Sequence, residues 1–292
     1  MRKLEDKIVH GIMGLFCCLT VLLLAFLIYF IVQESLPTIR EVGLKHLLLG
    51  NSWRPLIYSG EPSYGMRNMI LSTLYVSALA VLFALIIGVG CALFLACRAT
   101  KRQRALVLPY IDLLASIPSV IYGFIGLYIV VKFFEKLGRA TGESILAGGI
   151  VLAVMILPYM IASCCDTMVQ LYDRYSSASG ALGASRWYMA SQLVLPASTR
   201  GILISMALAT GRAMGETMAV MMVMGNAIGV PKLLGKGETI SALIAMEMGI
   251  AEVGSTHYGA LYTAGLVLMV MLFAINIIFE GLKKKLAKEG KA

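Results

Sequence analysis

Six long apolar runs with few or no charges follow one another along the 292-residue chain, separated by charged or polar stretches. Each run approaches or exceeds the roughly 20 residues that an α-helix needs to cross the hydrocarbon core of a bilayer. The pattern therefore predicts an all-α membrane protein with six transmembrane helices. The runs lie between Lys7 and Glu34, Arg67 and Arg98, Arg104 and Lys132, Glu143 and Asp166, Arg200 and Asn226, and Glu252 and Glu280.

The third run carries two interruptions. Asp112 comes early, so the membrane part is predicted to begin immediately after it. Further on, Ile117-Pro118-Ser119-Val120 places a proline inside the span, and Gly123 and Gly126 follow it. A proline in a membrane helix frees a backbone carbonyl, which a hydroxyl such as that of Ser116 can satisfy or which can line a cavity. A packing kink and a substrate pathway fit this pattern equally well.

The distribution of positive charge predicts the orientation. If both termini lie inside, the internal segments hold 15 Lys and Arg residues and the external segments hold nine. This bias favours both termini in the cytoplasm. The loop 34–66 is then external, and so is the segment 230–252, in which we expect a short amphipathic helix on the outer surface.

The composition supports a membrane protein and excludes other classes. The chain is 59% hydrophobic and 14% charged, far from the average of soluble proteins. Its net charge of +9 therefore reflects topology and does not indicate nucleic-acid binding. The six cysteines lie in or beside apolar runs without C-x-x-C spacing, so we interpret them as small buried hydrophobic residues and predict no metal site.

The fifth run, residues 200–226, is the most informative because it contains Arg212 and Glu216. A charge at that depth costs roughly 2.5–3.5 kcal/mol on insertion scales, so such residues are rare and usually face a polar path or a partner. Their i, i+4 spacing predicts one helix face, and Gly211 and Gly215 leave room for another backbone. A self-neutralising ion pair is one interpretation; a role on a substrate path is the favoured one.

The segment 172–196 is too polar for the bilayer and is predicted to be cytoplasmic. Small residues precede Gly183, and an apolar-aromatic stretch follows it and ends at Leu195-Pro196. This order predicts a helix–turn–helix lying along the membrane. Trp187 and Tyr188 would sit at the interface or in the groove of a partner.

This segment resembles the coupling loop of permease subunits of bacterial ABC importers, whose signature is E-A-A, three residues, Gly, nine residues, I-x-L-P. Gly183 and Leu195-Pro196 match in spacing, and Leu193 stands in the Ile position. Ser177-Ala178-Ser179 departs from E-A-A, since the acidic residue is missing. The resemblance implies contact with an ATPase through Ala178, Ala181, Leu182, Gly183, Ala184, Trp187, Leu195 and Pro196.

A narrower resemblance follows in the next helix. Residues 211–226, GRAMGETMAVMMVMGN, are similar to the R-A-[LIM]-G-E-T-M-A-V segment of phosphate importer permeases, and their ending is PstC-like. Residues 113–126 and 239–261 resemble further segments of that family, so the match covers most of 65–282. It places on the substrate path the residues Arg212, Glu216, Thr217, Ser119 and Asn226.

The resemblance implies the type I ABC importer permease (MetI-like) fold. Its parts would be a transmembrane helix and external loop at 1–66, a core of five transmembrane helices at 67–282 that includes the coupling loop 172–196, and a basic cytoplasmic tail at 283–292. The implied place is the cytoplasmic (inner) membrane of a bacterium or archaeon, as a multi-pass protein in the lipid bilayer.

The implied partners are a second, PstA-like permease, two PstB-like ATPases and an external PstS-like phosphate-binding protein. The chain itself has no G-x-x-x-x-G-K-[ST] phosphate loop and no H-E-x-x-H motif, so it is not predicted to be an enzyme. It needs no cofactor of its own, because ATP and Mg²⁺ would be bound by the partner ATPase.

An oxyanion suits Arg212 chemically, because a guanidinium offers a planar fork to two oxygens. Glu216 could hold that fork and accept a hydrogen bond from protonated phosphate, which fully ionised sulfate cannot donate. An importer of another oxyanion, molybdate or sulfate, is the nearest alternative. An ion-coupled secondary transporter is a further one, although we see no internal repeat of the kind that many such carriers have. A non-transporting scaffold or sensor fits the Arg–Glu pair poorly.

Overall fold

A computed structural model describes residues 2–55, 61–138 and 141–289 of the chain. The predicted loop 34–66 and tail 283–292 therefore lie partly outside the described residues, at 56–60 and 290–292. The helices are α1 (Arg2–Val42), α2 (Leu44–Leu49), α3 (Arg67–Cys97), α4 (Lys101–Ala115), α5 (Ser119–Gly126), α6 (Lys132–Lys136), α7 (Ile145–Ala181), α8 (Arg186–Tyr188), α9 (Leu195–Ala197), α10 (Thr199–Gly215), α11 (Met218–Val223), α12 (Ile240–Glu247) and α13 (Thr256–Glu289).

Short irregular elements connect some of these helices. A π-helical turn, Leu127–Val131, joins α5 to α6, and a second, Met189–Val194, joins α8 to α9. In the outer segment before α3, strands β1 (Trp53–Arg54) and β2 (Ser63–Tyr64) pair antiparallel, with Trp53 opposite Tyr64.

Four helices are long and apolar enough to cross a membrane unaided: Val9–Val42, Arg67–Cys97, Ile145–Ala181 and Thr256–Leu286. Two bent helix pairs pass the same test of length and composition when each is taken together. Lys101–Ala115 meets Ser119–Lys136 at 87°, and Arg186–Ala197 meets Thr199–Gly215 at 59°. If each bent pair is one span, the six predicted crossings are present, and an even number returns both chain ends to the same side.

The centre of the fold is the parallel pair α3 and α7, which pack more extensively than any other two helices described. Their close approach depends on glycine. A Cβ atom at Gly88 would lie 2.8 Å from Cγ of Met160, and one at Gly149 would lie 3.0 Å from Cβ of Leu79. Ser144 caps the N-terminus of α7, because its hydroxyl accepts a hydrogen bond from the Ala147 N–H.

A second apolar cluster closes the outer end of the molecule. Trp53 and Leu47 from the N-terminal segment pack with Leu243 of α12 and Leu261 of α13. Within it, Oε2 of Glu247 accepts a hydrogen bond from Nε1 of Trp53 at 2.8 Å and lies 2.8 Å from Nε2 of His257. The described residues of the predicted external loop, 34–55 and 61–66, therefore form a folded cap that packs on the last two helices.

Two sequence expectations are corrected in this outer region. The first helix does not stop near Glu34 but continues to Val42, with Pro37 inside it. A short helix does occur in 230–252, as predicted, but α12 does not lie on the outer surface. Its residues 240–243 are buried because they pack into the second cluster.

The outer part of helix α1 packs against the last helix, α13. The Phe30 ring meets the Tyr262 ring edge-on at 5.7 Å, and the Thr256 hydroxyl donates to Glu41 at 3.1 Å. Every residue from Val9 to Tyr29 is exposed. Since nearly all of them are apolar, this segment is suited to lipid or to another subunit.

Candidate functional site

The predicted fifth helix is broken in two at its charged residues. Helix α10 ends at Gly215 and α11 begins at Met218, so Glu216 and Thr217 form the connection. The prediction that Arg212 and Glu216 share one helix face was wrong, because the helix ends between them. The break is held from outside, since the Ser241 hydroxyl donates to the Glu216 carbonyl oxygen at 2.7 Å.

Glu216 has a structural partner in this break. Its Oε1 atom accepts a hydrogen bond of 3.2 Å from the Ala219 N–H and so caps the start of α11. None of the ion pairs among the described residues joins Glu216 to Arg212. The two charges are therefore accommodated separately.

Arg212 lies in the last turn of α10, where the negative end of the helix dipole favours a cation. It follows Arg200 by 12 residues, or about 18 Å along the helix axis, which places it deep within a hydrocarbon core of about 30 Å. Its side chain is exposed, and its Cζ atom lies 4.3 Å from the centroid of the Tyr159 ring. The guanidinium thus rests on an aromatic face instead of a carboxylate.

Tyr159 also reaches the break in the third span. Its hydroxyl donates to the Ala115 carbonyl oxygen at 3.0 Å, and the Tyr122 hydroxyl donates to the neighbouring Leu114 carbonyl at 2.7 Å. These are carbonyls of the last turn of α4, just before Pro118. Ser116, which was expected to satisfy a freed carbonyl there, donates instead to the Asp112 carbonyl at 3.1 Å.

The two breaks belong to one packed unit. Gly123 of α5 lies against α11, where an added Cβ would sit 2.9 Å from Cα of Ala219. At Gly126 the nearest atoms would come from Val151 of α7 and Val223 of α11. The glycines after Pro118 therefore allow α5 to approach both neighbours closely.

The other predicted path residues occupy different places. Ser119 starts α5 and is half-buried, and Thr217 lies in the connection after α10, its hydroxyl 3.4 Å from the Gly215 carbonyl. Asn226 lies beyond the far end of α11. It has a φ of 44°, and its Nδ2 donates to the Met221 carbonyl at 2.8 Å. Asn226 therefore forms a turn beyond α11, whereas Thr217 lies in the break that directly follows the last turn of α10.

Gly211 and Gly215 were expected to admit another backbone. An added Cβ at either would meet no atom within 4 Å in the part of the chain that the structure describes. The face of α10 that carries them is therefore open within this subunit.

The predicted coupling loop contains the expected helix–turn–helix. Gly183 adopts φ 69°, its N–H donates to Gly180, and the Ala184 N–H donates to Ser179, which is the hydrogen-bond pattern of a Schellman helix end. The first helix of the motif is not a separate helix along the membrane, because α7 runs unbroken from the span to Ala181.

The predicted contact residues of this loop form an open surface. Leu182 is 85% exposed and Trp187 is 71% exposed. Ala184 and Leu195 are half-buried, and the exposed set comprises Ala178, Ala181, Leu182, Gly183, Trp187 and Pro196.

Tyr159 and Tyr122 were not among the predicted site residues. Both are phenols inside apolar spans, where a buried or membrane-embedded hydroxyl needs a hydrogen-bond partner. Tyr159 directly follows Pro158, a proline inside the fourth predicted span. A hydroxyl beside a proline was the available signal, although it could not identify Arg212 as the neighbour.

Comparison with known proteins gives relatives for most of the chain. A probable ABC transporter permease protein, YqgH of Bacillus subtilis, is 35% identical over 236 residues, covering 80% of this chain and 76% of the relative. A probable phosphate transport system permease protein, PstC of Methanocaldococcus jannaschii, is 30% identical over 296 residues, covering 95% and 93%. The PstC protein of Xylella fastidiosa strain Temecula1 is 32% identical over 260 residues, covering 82% and 78%.

Solved structures agree in fold. A chain of a bacterial alginate ABC transporter matches with a TM-score of 0.63 at 16% identity, covering 94% of this chain and 95% of that one. A chain of the MetNI methionine ABC transporter matches with a TM-score of 0.59 at 16% identity, covering 74% and 94%. The all-α, MetI-like permease fold predicted from the sequence is confirmed.

The model of one family covers residues 88–288, more than half of the chain. Together with relatives at 30–35% identity, this match gives the assignment. The chain belongs to the family of inner membrane components of binding-protein-dependent transport systems, and it is a multi-pass membrane protein.

Proposed function

We propose that this chain is the PstC-like permease subunit of an ATP-driven phosphate importer and forms half of its translocation path. The observation that carries the proposal is Arg212. It is a mid-membrane guanidinium that is exposed and pairs with no carboxylate among the described residues. A charge kept at that depth without a neutralising partner is available to an anion. The similarity to PstC proteins supports phosphate as that anion.

The chemistry of the site fits a transported oxyanion. The guanidinium presents a planar set of donors that matches two phosphate oxygens. Glu216 and Thr217 follow at the break, where the Thr217 hydroxyl contributes a further polar group. Because a transport path must release what it binds, the site should hold phosphate weakly.

The remaining parts of the importer would be separate subunits. A second, PstA-like permease would complete the path against the open face of α10 that carries Gly211 and Gly215. Two PstB-like ATPases, which bind ATP and Mg²⁺, would dock on the exposed loop residues around Leu182 and Trp187. A PstS-like binding protein would deliver phosphate from outside. The complex would lie in the cytoplasmic membrane of a bacterium or archaeon.

The proposal is tested by substituting Arg212 in the assembled importer. Uptake of labelled inorganic phosphate into proteoliposomes should fall by at least about 100-fold in Arg212→Gln, with assembly and basal ATP hydrolysis largely unchanged. Arg212→Lys should rescue poorly, because a point charge does not reproduce the planar fork. Arg200→Gln is the matched control, since Arg200 is also exposed and lies at the opposite end of the same helix; it should transport normally.

Combining Arg212→Gln with Glu216→Gln tests whether transport needs the two charges, which the structure accommodates separately. If they serve only the structure, two neutral amides should keep much of the transport, whereas a substrate path should lose it. Substantial phosphate uptake by that double variant would refute the proposal. Competition by sulfate or molybdate, measured on the wild type, decides between phosphate and another oxyanion.

A further inference from the structure

The guanidinium of Arg212 and the end of α4 meet on a single side chain, that of Tyr159. The Tyr159 ring lies beneath the guanidinium, with 4.3 Å between its centroid and Cζ, and its hydroxyl is bonded to the Ala115 carbonyl at 3.0 Å. The side chain is 40% exposed, so it is not a core residue whose main contribution is buried area. Its two contacts are instead directed at specific groups.

We infer that Tyr159 is a positioning residue for anion recognition, setting the plane of the Arg212 guanidinium; the inference rests on the function proposed above. Arginine stacks its planar guanidinium on aromatic faces, and the 4.3 Å between Cζ and the ring centroid is short enough for that contact. The N–H donors lie in the plane of the group and point away from that face. A ring therefore fixes the orientation of the fork while leaving its donors free, whereas a carboxylate partner would occupy two of them.

The hydroxyl makes this support rigid. A tyrosine ring that is held only by its Cβ can rotate and swing, but a hydrogen bond at the far end of the ring restricts both motions. Its acceptor, Ala115, is the last residue of α4, and the chain then turns by 87° into Ser119–Lys136. The orientation of Arg212 is thereby tied to the end of α4.

The test compares Tyr159 variants in the assembled importer and measures labelled inorganic phosphate imported per ATP hydrolysed. In Tyr159→Leu and Tyr159→Met, neither of which has a ring face, this ratio should fall on the order of tenfold, while ATP hydrolysis continues. Tyr159→Phe keeps the ring face and should stay within about threefold of the wild type. A purely structural defect would lower hydrolysis and transport together, through less assembled complex.

Tyr122→Phe is the matched control. It removes a hydroxyl that donates to the adjacent carbonyl, Leu114, at the same helix end, but the Tyr122 ring makes no cation–π contact with Arg212 among the described residues. It should match Tyr159→Phe. If Tyr122→Phe instead lowers the ratio as strongly as Tyr159→Leu, the effect comes from the end of α4 and the positioning role is refuted.

The remaining outcomes are also distinct. If Tyr159→Leu and Tyr159→Met import phosphate per ATP like the wild type while Arg212→Gln is inactive, the inference fails and the proposed function stands. If Arg212→Gln itself imports phosphate, the proposed function is wrong and the inference about Tyr159 is wrong as well. Equal losses of hydrolysis and transport in both ring-free variants would assign Tyr159 a structural role and overturn the inference.

Discussion

Replacing Gly123 by alanine should loosen the contact between the two broken spans. Gly123 is buried in α5, and an added Cβ would lie 2.9 Å from Cα of Ala219 and 2.9 Å from Sδ of Met222. The methionine is flexible and can move aside. The backbone atom of Ala219 cannot, so α5 and α11 would have to separate.

Two opposing terms set the size of the effect. Alanine is favoured over glycine in a helix by about 1 kcal/mol, whereas an extra carbon in a well-packed site costs about 1–3 kcal/mol. Gly90 of α3 supplies the first term alone, because it is exposed and a Cβ there meets nothing within 4 Å in the described chain. The Gly90→Ala and Gly123→Ala variants should therefore differ by about 1–3 kcal/mol.

Thermal unfolding of the purified importer in detergent measures this difference. For a chain of this size, 1 kcal/mol corresponds to about 2–4 °C in the midpoint, so Gly123→Ala should unfold roughly 2–12 °C below Gly90→Ala. Equal midpoints for the two variants would show that α5 and α11 are not held in backbone contact, and the packing argument would be wrong.

Two further predictions concern the outer cap and the cytoplasmic turn. Burial, and then the nearby charge of Glu247, raise the pKa of Glu238 to about 7 from 4.5. The ionised form is therefore disfavoured in the fold, and this residue's contribution to stability falls by up to about 3 kcal/mol as pH rises from 4.5 through 7. Glu238→Gln should gain melting temperature relative to the wild type between pH 5 and pH 7.5; a constant difference would contradict the shift. Gly183 has a φ of 69°. Gly183→Trp should lower the phosphate imported per ATP, because a bulky side chain strains the turn by about 1–2 kcal/mol, whereas Gly183→Asn should be tolerated. Normal transport by the tryptophan variant would exclude this turn as the coupling element.

Hydropathy was sufficient to find the spans because the bilayer imposes a strong demand on composition along each segment. It could not locate the break at Glu216. Residues 200–226 are apolar on both sides of it, and what holds it open is the Ser241 hydroxyl, which comes from a distant part of the sequence. The i, i+4 argument for an ion pair assumed a continuous helix and failed with it.

Short-range features of the sequence predicted the turns better than they predicted which side chains meet across the fold. Gly183 was correctly expected in a turn, because a positive φ favours glycine and the required hydrogen bonds come from neighbouring residues. Arg212 was singled out by its charge and its depth. That its guanidinium rests on Tyr159 depends on how α7 packs against α10, and a single sequence holds no record of that packing. The substrate-path and coupling roles of the predicted residues stay predictions.

The exposed part of α1 is a long helical segment that is held at its outer end. Its 21 residues, Val9–Tyr29, span roughly 30 Å at 1.5 Å per residue, and the helix is fastened to α13 only beyond them. Tilting the helix by 10° at that fastening moves its cytoplasmic end by about 5 Å for a rod of this length. Within Val9–Tyr29, such a swing would move only side chains that are exposed within their own subunit. The inner end of α1 can therefore follow an adjoining subunit or a change in bilayer thickness while the outer cap stays closed.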